Sequence, residues 1–305
     1  MNFYFPRSRI FLTAVHKSGS TSVMNFFGAL EEYLAANGAS VDDVNELSDA
    51  ELRYREESSD VHTDREIALK FMVEHDFNQT DLAICSVAIV RDPLERFTSF
   101  WFNKMVLMRD STYYEVAKQY FPDVEVTSMG NIREGAKKFL NSTEFANRVK
   151  HDAHLQPQTY SVAESRHYDI YVETKELSKM PQKLVESSPQ YSFIRNAIFP
   201  HNNPTEKELT QSFYDQELVD LLLDIYGDDF NILKSRNMAL ASDKSHIGGE
   251  PDVDILKSIN GIRAREIANQ MMVAMDVIAA ERDAVLNSRI WRISKFYRDL
   301  RGTKS

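Results

Sequence analysis

The chain has 305 residues, 43% hydrophobic and 27% charged, with a net charge of −10 and a single cysteine, Cys85. That length buries one substantial core with room for an appendage, and the lone cysteine excludes a disulfide framework and points to a reducing compartment. The acidic balance argues against a general nucleic-acid binder, and the absence of a signal-peptide core in MNFYFPRSRIF or of any long apolar run makes a cytoplasmic protein the expectation.

In chain order, Ile10, Phe11, Leu12, Ala14 and Val15 form an almost uninterrupted apolar run, as a strand buried on both faces requires. Val23, Phe26, Phe27, Leu30 and Leu34 then recur at helical spacing. The loop between them, His16-Lys17-Ser18-Gly19-Ser20-Thr21-Ser22, carries a cation, a glycine and four hydroxyls at the start of a helix, where free N–H groups and the helix dipole favour an anion. It is not a Walker A loop, since Lys17 precedes Gly19, and a simple Ser/Thr-capped helix start is the competing reading. The acidic stretch 39–66 reads as surface helix and loop. Ile67–Val73 reads as a strand, with Glu74 and His75 just beyond it.

A second strand-like run, Leu82 to Val90, encloses Cys85, which reads as a small buried hydrophobe. It ends in Arg91-Asp92-Pro93-Leu94-Glu95-Arg96-Phe97-Thr98-Ser99. Pro93 suits a first helical turn, so Arg91 falls at the strand's carboxyl edge and Ser99 about two turns along the helix. Open α/β sheets bind ligands beyond those carboxyl ends, which puts both special segments on one rim. Residues 131–150, 175–188 and 206–226 read as helical. Residues 241–251 read as a linker, and Ile255, Ile259, Ile262, Ile267, Met271, Met275 and Ile278 place a helix after it that suits a partner helix or coiled coil. Residues 289–305 hold six basic residues against Asp299, a net of +5 that leaves −15 on the remainder.

HKSGSTS after the first strand resembles the 5′-phosphosulfate loop of sulfotransferases, and RDPLERFTS, with Arg91 and Ser99 eight apart, resembles their 3′-phosphate element. The chain is most similar to the carbohydrate branch that includes the chondroitin, HNK-1 and uronyl 2-O-sulfotransferases. His154-Leu155-Gln156-Pro157-Gln158, Tyr168 to Glu173 and Tyr226-Gly227-Asp228-Asp229-Phe230 resemble later motifs of that branch, so the likeness runs in order over roughly residues 8–234. It implies an α/β fold of the P-loop-like sulfotransferase type, a central parallel sheet flanked by helices, with a C-terminal helical extension. The expected division is a catalytic domain over 1–240, a linker over 241–251 and the extension over 252–305. The basic, aromatic end resembles tails of bacterial surface-polysaccharide glycosyltransferases, which makes a membrane surface or a polysaccharide-assembly complex the expected partner of 252–305 and a microbial source the expectation; a solvated helix folded back on its own domain is the alternative.

The resemblance further implies 3′-phosphoadenosine 5′-phosphosulfate (PAPS) as donor, a carbohydrate hydroxyl as acceptor, and no metal. Lys17 would contact the bridging oxygen. Ser18, Gly19, Ser20, Thr21 and Ser22 would hold the 5′ group, and Arg91 with Ser99 the 3′-phosphate. A general base is needed; His75 matches the uronyl enzymes by region and Glu74 the N-sulfotransferases. His151 and His154 are candidates for acceptor binding, and His16 reads as loop scaffolding. Two other readings remain: a P-loop-type phosphotransferase, which would need magnesium and an acidic ligand near the loop, and a non-catalytic adaptor acting through its C-terminal helix.

Overall fold

The computed structural model describes residues 2–16, 19–46, 52, 83–108, 110–121, 125–162, 167–200, 213–236 and 253–287. Lys17, Ser18, Glu74, His75, the expected strand 67–73, the linker 241–251 and the basic end 289–305 lie outside the described residues. The chain divides into two compact units, one drawn from Met1–Trp101 and Ile132–Pro251, the other from Phe102–Asn131 and Asp252–Ser305.

The first unit is built on a four-stranded sheet in the order β1-β2-β3-β4, with β1 Asn2–Phe5, β2 Ile10–Ala14, β3 Cys85–Val90 and β4 Ile170–Glu173. β2, β3 and β4 are parallel, with Ile10 opposite Cys85 and Val87 opposite Ile170. Every residue of β2 and β3 is buried, which is why both read as unbroken apolar runs. β1 was not legible as a strand: it is four residues long, ends at Pro6, and turns back through Arg7–Arg9 to pair antiparallel with β2.

Helices flank the sheet. α1 (Ser20–Ala36) buries Val23, Phe26, Phe27, Leu30 and Leu34 in the main core, where Phe27 stacks on Phe5 and Phe26 on Phe199. Each such side chain contributes about 1.5–3 kcal/mol. α2 (Pro93–Phe100) starts as its sequence demands: the Asp92 carboxylate accepts from the N–H groups of Leu94 and Glu95, and Pro93 occupies the first turn. The stretch expected as one helix over 131–150 is two, α4 (Met129–Leu140) and α5 (Thr143–Arg148), because the Ser142 side chain caps the second. Likewise 175–188 begins as a 3₁₀ turn over Thr174–Lys179 and becomes α-helical only at α6 (Met180–Ser187), where Pro181 has no N–H to continue an earlier ladder. α7 (Gln216–Ser235) is kinked at Tyr226 (φ −113°, ψ 24°).

The second unit contains a π-helical turn that begins at Trp101 and runs to Val106, α3 (Tyr114–Tyr120) and α8 (Val253–Asn287). Ile259 and Arg263 of α8 are buried. The Arg263 guanidinium donates to Val106 O and lies over the Phe121 ring; burial alone pushes its pKa down to about 10. Asn260 exchanges two hydrogen bonds with the Val126 backbone, at 2.8 and 3.0 Å. No described helix is long and apolar enough to cross a membrane.

Candidate functional site

Parallel pairing brings the carboxyl ends of β2, β3 and β4 to one rim, and the loop that follows each strand is there. After β2, Gly19 has φ +71°, a left-handed conformation that favours glycine. A Cβ at that position would come within 2.6 Å of Leu177 Cδ1, in the turn after β4, so that side chain would have to shift as well. Gly19 is also the N-cap of α1. It has no side chain to accept from the first-turn N–H groups, and that turn has no acidic residue. α2, α5 and α7 are each capped instead by the side chain of Asp92, Ser142 or Asp215. α3 and α6 also lack a capping side chain, so what distinguishes the start of α1 is its glycine N-cap at the rim, where first-turn N–H groups suit an external anion. Ser20 opens the helix, Thr21 is half-buried and Ser22 is buried.

After β3, Arg91 is held by its backbone. Its N–H donates to Gln158 Oε1 at 2.9 Å and its carbonyl accepts from Gln158 Nε2 at 2.7 Å. Gln158 is fixed in turn: its N–H and that of Thr159 donate to the two oxygens of Asp229, at 2.8 and 3.0 Å. Burial pushes the Asp229 carboxyl up, against those N–H groups and the Arg96 charge. Tyr226, one turn earlier on α7, donates to Leu155 O at 2.8 Å. The YGDDF segment thus fixes the HLQPQ loop, and that loop fixes Arg91. The Arg91 side chain is 14% exposed, with Nε 3.7 Å from Glu95 Oε2. Burial lowers its pKa, Glu95 opposing, yet a guanidinium keeps its charge. Glu95 and the buried Ser99 follow at intervals of four, so Arg91, Glu95 and Ser99 fall along one side of α2.

Arg96 is the site residue that sequence reasoning passed over. It is 2% exposed. Its Nε donates to His16 O, and its terminal nitrogen lies within hydrogen-bond distance of the carbonyls of Ala153, His154 and Gln156. One guanidinium thereby ties the loop after β2 to the loop at 153–156. Its only signal was a lone arginine among Leu94, Phe97, Phe100 and Trp101.

The same fastening brings two histidines together. The rings of His16 and His154 are 4.7 Å apart and tilted by 60°. His154 also binds Asp152 Oδ1 through Nδ1 and through its backbone N–H. Burial would raise the Asp152 carboxyl, but the His154 hydrogen bonds and the nearby His16 hold it below the usual carboxylate range. His151 is exposed, and its backbone N–H donates to Arg148 O. At the end of β4, Glu173 is buried, with Oε2 2.7 Å from Lys175 Nζ and no partner for Oε1 among the described residues; burial raises its pKa against Lys175. Among the described residues no group of three or more His, Cys, Asp or Glu could hold a metal ion.

The sequence was compared with family models, curated proteins and solved structures. A family model, described as Sulfotransferase family, matches residues 2–234. No curated protein and no solved structure gives a significant match. That match spans the sheet, both rim loops and the α7 clamp, and the chain belongs to the sulfotransferase family.

Proposed function

We propose that the protein moves a sulfuryl group from PAPS to a hydroxyl of a carbohydrate, as in synthesis of a surface polysaccharide or glycolipid. The observation that carries the reading is the pairing of the two loops. The register of β2 with β3 sets Gly19–Ser22 and Arg91–Ser99 beyond the same end of the sheet, and Arg96 ties the first of them in place. The bound donor would supply a sulfuryl group on a 5′-phosphate and a second phosphate at the 3′ position. The first-turn N–H groups of α1, with Thr21 and Ser22, suit the 5′ group. Lys17, from its place in the motif, would stabilise the charge that builds on the bridging oxygen as the sulfur–oxygen bond breaks. Arg91 and Ser99 suit the 3′-phosphate, the arginine by a bidentate contact that lysine cannot reproduce. The attacking hydroxyl would give its proton to His75 or Glu74, and His151 and His154 would face the acceptor.

Calorimetric titration with adenosine 3′,5′-bisphosphate tests the donor site. Arg91→Lys should weaken binding by about 10- to 100-fold, the worth of a charged hydrogen bond of roughly 1.5–3 kcal/mol. Ser99→Ala should weaken it less. Lys17→Ala should still bind the bisphosphate yet fail to transfer label from PAPS across a glycan panel. Wild-type protein that does not bind the bisphosphate would sink the reading, and magnesium-dependent ATP binding in its place would give the loop to a phosphotransferase.

A further inference from the structure

α8 carries a face that its own unit does not cover. Ile259 and Arg263 turn inward and are buried, whereas Gly261, Ala264, Ala268, Met271, Met275, Ile278, Arg282 and Val285 are all exposed. Those positions alternate in steps of three and four, the spacing of a coiled-coil seam. The seam runs 25 residues, about three and a half heptads, the length at which such a repeat becomes meaningful. Met271, Met272, Met275, Ile278 and Val285 are between 57% and 67% exposed, which leaves large apolar side chains in water along several consecutive turns.

The seam is graded by size. Its first part is Gly261, Ala264 and Ala268; its last part is Ile278, Arg282 and Val285; two methionines lie at its centre. A second copy laid antiparallel about a centre at residue 273 sets Met275 against Met271, Ile278 against Ala268, Arg282 against Ala264 and Val285 against Gly261. Outside the central methionine pair each large residue then meets a small one, and the arrangement closes on its own two-fold axis. A parallel pair in register would instead set large against large, leave gaps at the small end, and oppose two Arg282 guanidinium groups. The antiparallel pair would bury on the order of 1,200 Å² across both copies, the low end of stable specific interfaces. We propose that the exposed face of α8 is a homodimer interface and that its occupant is the same face of a second copy, antiparallel.

Sedimentation velocity on the full chain tests this. A monomer–dimer equilibrium that shifts to dimer as concentration rises is expected. Met275→Glu with Ile278→Glu should leave a monomer with unchanged circular dichroism and the unfolding temperature of wild type at dilutions where wild type is itself monomeric, because both side chains are exposed in the monomer. Orientation is read by a short thiol-to-thiol cross-linker. Ala274→Cys lies beside its own copy near the axis and should cross-link, whereas two Val285→Cys residues would be about 36 Å apart and should not. The native Cys85 is buried and does not compete. Cross-linking through Val285→Cys would establish a parallel pair and overturn the proposal. So would a chain that stays monomeric through the hundred-micromolar range, whether its face is then found on anionic vesicles or folded under another segment of its own chain.

Discussion

Arg96 illustrates how one buried charge can organise a surface site. A guanidinium taken out of water is costly, and burial does depress its pKa, with the Tyr226 and Asp229 side chains opposing. What offsets the cost is geometry: a planar fork reaches carbonyls from two loops at once. A lysine has donors enough but a single nitrogen, so it cannot reach His16 O and the 153–156 carbonyls together. Arg96→Lys should therefore lower stability by about 2–4 kcal/mol, from charge-assisted hydrogen bonds lost inside the fold. Because His16 adjoins Lys17, the same variant should also weaken bisphosphate binding at temperatures where it remains folded. Urea unfolding and calorimetry at low temperature read the two effects separately. A variant with normal stability and normal nucleotide affinity would remove the fastening role from Arg96.

At the scale of elements, the segment 152–159 has no regular structure beyond one 3₁₀ turn and depends on side chains from elsewhere. Asp229 holds its end, Tyr226 and Arg96 its middle, and Asp152 its start through His154. The Asp152 contribution depends on pH. Its folded pKa is depressed, so its stabilisation is complete above the unfolded carboxylate value of about 3.9 and is lost as pH falls through the folded value. Asp152→Asn should cost about 1 kcal/mol at neutral pH, one hydrogen bond's worth. The gap to wild type should close in acid, where the wild-type carboxyl is protonated too; a gap that is constant with pH would show that the carboxylate charge has no part. Such dependence explains what could be read in advance. β2, β3 and the start of α2 were legible because apolar runs, Asp92 and Pro93 act on their own neighbourhood. The β1 hairpin and the Arg96 fastening were not, because their causes are a four-residue edge strand and backbone carbonyls 57 to 80 residues away, which leave no pattern in the sequence. Arg91 and Ser99 are expected only through the resemblance of RDPLERFTS to a family motif; Gln158, which grips Arg91, lies inside the HLQPQ motif and carries no chemical signal of its own.

The whole molecule divides its chain in an order that sequence alone does not suggest. α8 follows the first unit by sequence, yet it belongs with Phe102–Asn131, a segment inserted between α2 and the rest of the first unit. Asn260 and Arg263 join them, bonded to Val126 and Val106 and set over Phe121 of the inserted segment, and Ile259 beside them is buried. Two truncations should therefore behave differently. A chain ending at Leu240 removes all three and leaves Val126 without its Asn260 partner. Loss of Ile259 burial alone is worth about 1.5–3 kcal/mol, so this chain should unfold at lower temperature and aggregate through the uncovered face. A chain ending at Gln270 keeps all three residues, and of the described side chains it removes, those of 271–285, all are exposed except the half-buried Ala279. It should keep the unfolding temperature of dilute, monomeric wild type and the bisphosphate affinity while sedimenting as a monomer. Equal behaviour of the two chains in thermal unfolding would show that α8 adds nothing to the inserted segment. Loss of nucleotide binding in the Gln270 chain would show that the exposed part of α8 serves the site as well as the dimer.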